Sequence, residues 1–341
     1  MAESVRLIIA MEDELLVIDG PDCGSSNART QLSSLAPQCL AADPNHATRL
    51  YCGTFGDGLW RSEDGGDSWQ RVGGLSAQRV TSVAVSAEDV ADGFGVVFAG
   101  TEPSAVFRSN DGATTWRECQ GLDRLPSAST WSFPPRPETH HVRWIAPDPA
   151  VHGRLFVAIE AGALIHSLDG GARWHDRVRG GPYDTHTLVT TARGSDNLYV
   201  AAGDGYFESH DGGMTWRKPE VGLAHRYLWS VAIDPRDARV VIVSGAPDPW
   251  SAHGARRAES YVYRREDGGD WTAVREGLPS PRGTTVSTVL ADPERAGTFY
   301  AANNRGIYRS EGGLTWERLQ IAWPDQFQSQ RAQALIVTRS I

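Results

Sequence analysis

The chain has 341 residues, 42 acidic against 33 basic side chains, a net charge of −9 and four cysteines. No lysine or arginine block occurs and charges of both signs are interspersed, which argues for a solvated acidic surface and against nucleic acid as a partner. No apolar run approaches the ~20 residues of a membrane-spanning helix, so no membrane partner is expected either.

The first runs, Arg6-Leu7-Ile8-Ile9-Ala10 and Leu15-Leu16-Val17-Ile18, read as strands. Met1-Ala2-Glu3-Ser4 lacks a basic region, and Glu12, Asp13 and Glu14 interrupt the early apolar run. No secretion signal is therefore read, and the cytoplasm is the expected compartment. A further strand can be drawn over 29–35. From there a fixed order returns: a short strand often ending in Asp-Pro, a β-branched strand, then a brief aromatic strand. Residues 39–44, 49–54 and 59–62 give it once; 229–235, 240–244 and 261–264 give it again, as do 286–293, 298–302 and 307–310.

Each such unit ends in Ser-x-Asp-x-Gly-x-x-Trp or a worn version of it. Ser62, Asp64, Gly66, Trp69 and Ser209, Asp211, Gly213, Trp216 are complete, as are Ser167, Asp169, Gly171, Trp174. Ser109, Asp111, Trp116 carry Ala113 in place of the glycine. Asp267, Gly269, Trp271 have lost the serine, and Ser310, Gly313, Trp316 the aspartate. The pattern suits a β-hairpin tip: the aspartate accepts hydrogen bonds from the turn's N–H groups, the glycine supplies positive φ, and the tryptophan covers the turn. These aspartates are assigned no catalytic role.

The six tryptophans recur with a period in the forties to fifties, the length of one four-stranded propeller blade. A seventh blade follows from the ends: Ala332 to Thr338 supplies an innermost strand for the strands near the N-terminus, closing the ring and removing its exposed edges. The expected fold is all-β, a single seven-bladed propeller over 1–341. Its blades are placed near 37–72, 79–119, 141–178, 185–218, 226–274, 285–319, and 331–341 with 5–35.

The signatures are identified as Asp-box (BNR) repeats, and the chain resembles that superfamily along essentially its whole length. Members include sialidases, xyloglucanases, the sortilin luminal domain and photosystem II assembly factors. The resemblance implies the propeller, puts the boxed hairpins away from the functional face, and implies a binding face built from two loop sets. One set precedes Arg79, Arg143, Thr187, Leu228, Val286 and Ala334. The other holds 55–58, 102–104, 160–162, 203–205, 246–260 and 303–306. Activity does not follow from the fold. A sialidase is not expected: no Arg-Ile-Pro occurs, and no motif fixes Arg143, Arg226 and Arg305 as a carboxylate clamp beside Tyr227 or Tyr261. Xyloglucanases use a cleft between two propellers, and these residues suffice for one.

Those loops gather ionisable side chains. His140, His141, His186 and His225 fall at the starts of inner strands in three consecutive blades, with Glu102, Glu160, Asp204 and Glu259 in or beside the second set. Imidazoles with a carboxylate suit zinc, iron or manganese, which would activate water. No His-x-His or His-Glu-x-x-His spacing demands a metal, and a histidine at a loop-to-strand junction also serves to cap backbone groups. The expected site is therefore His141, His186, His225 and Glu259 as metal ligands, Glu102, Glu160 and Asp204 as catalytic carboxylates, and Arg143, Arg226, Arg305, Trp131 and Tyr183 as substrate contacts. The function read from this is binding of a small polar or anionic ligand at the top of the channel, with metal-assisted hydrolysis or elimination. A glycosidase would use the carboxylates with Trp131, Phe133, Trp250 and Tyr183 as sugar platforms, although Gly56-Asp57-Gly58 and Gly203-Asp204-Gly205 also read as plain turns. The alternative is a scaffold or assembly protein without catalysis, whose docking edge would be Trp131 in 129–133 and the tract 134–137. The cysteines, Cys23, Cys39, Cys52 and Cys119, lack metal spacing and read as small core residues, with Cys39 and Cys52 facing each other.

Overall fold

The computed structural model describes residues 4–20, 27–91, 93–191, 196–234 and 236–340. Seven small antiparallel sheets form a seven-bladed propeller. In chain order, blade one has its inner strand at Pro37–Ala42, followed by Leu50–Thr54, Leu59–Ser62 and the two-residue Gln70–Arg71. Blades two to six begin with the inner strands Val80–Ala91, Val142–Pro147, Thr185–Thr190, Tyr227–Asp234 and Thr288–Ala291. In blade seven Ala332–Ser340 pairs antiparallel with Ser4–Met11, which pairs with Leu15–Asp19 and then Asn27–Gln31. That outer strand stops before 29–35 is complete, because Leu32, Ser34 and Ala36 take left-handed backbone angles that no strand accommodates.

The hairpin signature acts locally. Ser62 Oγ donates to Asp64 Oδ1 at 2.8 Å and accepts from Gly66 N at 2.8 Å, while Ser68 N donates to the same Asp64 oxygen at 2.9 Å. Ser209, Asp211 and Gly213 repeat this net. Ala113 holds the turn at φ 70, in the conformation its glycine counterparts adopt, and still donates to Ser109 Oγ at 2.9 Å. Neighbouring blades are joined at these tips: Arg61 Nη1 donates to Gly112 O, Arg108 Nη1 to Gly170 O and Arg264 Nε to Gly312 O.

Apolar side chains of adjacent sheets interdigitate, for example Tyr51 and Leu59 of blade one with Val80, Val83 and Val97 of blade two. Cys39 and Cys52 are buried and free, but they do not face each other. Cys39 lies opposite Gly53, and the two thiols enter different clusters on opposite faces of the sheet, since alternate residues of a strand point apart. Cys119 is buried likewise, and Cys23 lies outside the described residues. Among the described residues no helix is long and apolar enough to cross a membrane.

One irregularity recurs around the ring. In six of the seven inner strands one residue is inserted near the start of the strand, so two residues there oppose one on the next strand. The inserted residues are Gln38, Thr81, Arg143, His186, Trp229 and Gln333. A β-bulge re-aims its side chain. Arg143 of blade three lies over the ring of Trp229 of blade five, 4.4 Å from its centroid, a contact across the intervening blade that runs through the central channel.

Candidate functional site

Two segments beside inner-strand bulges meet at the channel mouth. Glu160 stands in the tight turn between Leu155–Ile159 and Ala163–Ser167, where Ala161 is left-handed. Trp131 packs on Gly162 from behind: a Cβ there would lie 2.9 Å from its ring. Asp184 precedes the inner strand of blade four, and His186 is the bulged residue of that strand. Ligand atoms of Glu160, Asp184 and His186 all lie within 4.8 Å of one another.

The hydrogen bonds define which atoms are free. His186 Nδ1 donates to Leu228 O at 2.6 Å, which leaves Nε2 as the ring nitrogen facing the carboxylates. That Nε2 is buried without a hydrogen-bond partner, 3.8 Å from Glu160 Oε1 and 3.7 Å from Asp184 Oδ2. Asp184 is fixed by Ala161 N, which donates to its Oδ1 at 2.8 Å. Its Oδ2 occupies space open only because residue 203 is glycine; a Cβ there would lie 2.0 Å from it. His141 Nε2 donates to Glu160 Oε2 at 2.8 Å. Burial pushes the Glu160 carboxyl up, but the neighbouring His141, His186 and Arg143 outweigh it and hold the group well below the usual carboxylate range. Asp184 moves the other way: burial, aided by the Glu160 charge, raises it despite His186.

Around this trio lie groups of mixed role. The Glu102 side chain is fully buried between Arg79, at 2.9 Å, and Arg136, at 2.6 Å. It therefore pins the 120–140 loop, and its Oε2 lies 3.8 Å from His141 Nδ1. Asp204 accepts from Asp184 N at 3.2 Å and acts as a support. Trp131 is buried in the blade two and three core, with Nε1 donating to Ser127 Oγ, so it offers no sugar platform. His140 stands edge-on to that ring.

His225 and Glu259 are not in the group. His225 contacts the Tyr263 hydroxyl at 2.5 Å and stacks on Tyr261 at 4.0 Å, and the Tyr261 hydroxyl donates to Glu259 Oε1 at 2.6 Å. Arg226 is exposed beside Glu220, Arg305 is exposed and donates to Gly283 O, and Tyr183 is exposed under Arg177. Arg143 is buried at the mouth, 3.6 Å from Glu160.

Sequence reasoning missed Asp184, Trp229, His253 and Arg331. His253 sits on the short helix Pro249–His253, capped by Asp248, in the 246–260 loop that folds over the mouth. It packs edge-on to Trp229 at 4.5 Å and meets the Tyr227 hydroxyl at 2.9 Å. The Arg331 guanidinium lies 5.5 Å from the Trp229 centroid. Asp184 was within reach, for Asp-x-His on an extended segment puts both side chains on one face.

No family model matches the chain, and no curated protein matches it. Solved structures do. An ancestral GH74 enzyme superposes with TM-score 0.65 at 19% identity, over 85% of this chain and 39% of that one. The GH74 xyloglucanase from Xanthomonas campestris gives 0.62 at 16%, over 94% and 52%. YCF48 bound to D1 peptide gives 0.58 at 15%, over 89% and 93%. The chain thus spans about half or less of the GH74 enzymes it resembles. At these identities the likeness is one of fold, and that fold is shared by hydrolases and by a peptide-binding protein.

Proposed function

We propose that this propeller binds a divalent metal at the channel mouth through Glu160, Asp184 and His186, and through it a small polar ligand, with hydrolysis or elimination as the reaction class. The observation that carries this reading is the His186 ring. Its Nδ1–H is tied to a backbone carbonyl, and its free, buried Nε2 is directed at two carboxylates, the support that metal-bound imidazoles ordinarily have. One imidazole and two carboxylates suit manganese, iron or zinc. Such a metal lowers the pKa of a bound water and polarises a substrate oxygen. Here His141 orients Glu160 and Ala161 N orients Asp184, so neither carboxylate needs to reorganise.

The test is elemental analysis and calorimetric titration with Mn²⁺ and Zn²⁺ on untagged protein, beside His186→Ala and Glu160→Gln. Near-stoichiometric metal in the wild type, weakened at least ~100-fold in each folded variant, is expected. No metal in the wild type would sink the reading. A protein-docking role would then lead, resting on Trp250, 79% exposed on the helix above the mouth.

A further inference from the structure

Arg143 is buried at the channel mouth with a guanidinium nitrogen left without a hydrogen bond. Its residue is only 9% exposed, yet Nε finds no hydrogen-bond partner and the nearest carboxylate oxygen, on Glu160, is 3.6 Å away. That carboxylate is already engaged by His141 Nε2 at 2.8 Å. A buried guanidinium nitrogen without an acceptor is costly unless one arrives to meet it. Arg331, only half-buried, adds a similar unpaired nitrogen from blade seven. Its Nε is buried without a hydrogen bond, its nearest carboxylate oxygen, on Glu12, is 3.5 Å away, and its guanidinium lies over the same Trp229 ring as that of Arg143.

Other, half-buried arginines of this chain make inter-blade bonds. Arg61, Arg108 and Arg264 staple neighbouring blades by donating to turn carbonyls. Arg143 and Arg331 contact no such carbonyl. Arg143 instead occupies a bulge, which turns it inward.

We infer that Arg143 and Arg331 form an oxyanion-recognition site around Trp229, so that the ligand of this propeller carries a carboxylate or a phosphate group. The inference rests on the metal reading in one respect. Glu160 and Asp184 oppose an anion electrostatically, and a dication between them reverses that field, so metal and oxyanion should bind cooperatively. Guanidinium donors suit both anions, since each offers paired oxygens to the planar fork.

The experiment is calorimetric titration of methylphosphonate and of malonate into the full chain, first metal-free and then saturated with Mn²⁺. It is repeated on Arg143→Gln and Arg331→Gln, with thermal melting as the check on folding. One of the two probes should bind, at least tenfold tighter with Mn²⁺ present and at least tenfold weaker in either variant; which probe binds identifies the anion. Should Arg143→Gln fail to fold, Arg331→Gln decides the matter. Metal binding without uptake of either probe, or uptake that both substitutions leave unchanged, overturns the inference and leaves the metal site standing. Arginine-dependent uptake by protein that takes up no metal would support the oxyanion site and defeat the metal reading alone.

Discussion

The outer hairpins and the channel mouth use polar side chains in opposite ways. At the tips, each serine and aspartate bonds to its own turn: Ser209 Oγ serves Gly213 N and Asp211, and Asp211 serves Thr215. At the mouth, His186 Nε2, Arg143 Nε, His253 Nδ1 and Arg331 Nε are buried without a partner. Buried polar groups are nearly always satisfied in native proteins; others without a partner here include Trp69 Nε1, Trp174 Nε1 and Arg265 Nε, away from the mouth. The serines and aspartates of the hairpins find partners within their own turns; the mouth gathers its polar groups from several blades.

The comparison can be broken from either side. The largest effect is expected from Trp216→Ala, which removes the cover of a hairpin, an edge-on contact with Phe207 and a bond to Gly213 O. Because Trp216 is only half-buried, the loss of unfolding free energy should be about 2–3 kcal/mol by urea denaturation, with Mn²⁺ affinity unchanged. Gly203→Ala should do the reverse. The new methyl displaces the Asp184 carboxylate, and metal affinity should fall ~10- to 100-fold by calorimetry while the melting temperature barely moves. If Gly203→Ala instead unfolds the protein and spares metal binding, the division between the two regions fails.

Smaller effects sharpen the hairpin side. Ser209→Ala strips Gly213 N of its acceptor and should cost about 1 kcal/mol in the same denaturation assay. Asp211 is held down at about 2 by hydrogen bonds from the Thr215 hydroxyl and N–H, against an ordinary value of 3.8. Its folded pKa is the lower one, so its contribution is fully present above about pH 4 and disappears as pH falls towards 2. The gap in urea midpoint between wild type and Asp211→Asn should therefore be constant above pH 5 and close on acidification. A gap that persists at pH 2 would show that the aspartate acts by shape and not by charge.

How legible each region was follows from the same contrast. A turn that satisfies itself within eight residues can be recognised wherever it recurs, and even its worn copies keep enough to be counted: Gly313 N still donates to Ser310 Oγ although the aspartate is gone. The mouth offered no such local pattern. Glu160, His186 and Arg143 were singled out because they fall in or beside the two loop sets of the binding face, but that rule alone could not separate them from His225, Glu259, Arg226 and Arg305. All lie in upper loops; His225 and Glu259 turn to Tyr263 and Tyr261, and Arg226 and Arg305 to the surface. Glu102 resembled Glu160 in placement, yet two arginines seal one and leave the other open to His186.

The sequence alone determined the repeat, the strand order and the number of blades. Those depend on contacts a few residues apart and on a period that chemistry writes directly into the chain. Tertiary structure decided the site. Glu160 of blade three, His186 of blade four, Trp229 of blade five and Arg331 of blade seven come from different blades, and bulges one residue long re-aim Arg143, His186 and Trp229. A bulge is a property of paired strands, and the strand that registers it is absent from any local reading of the sequence.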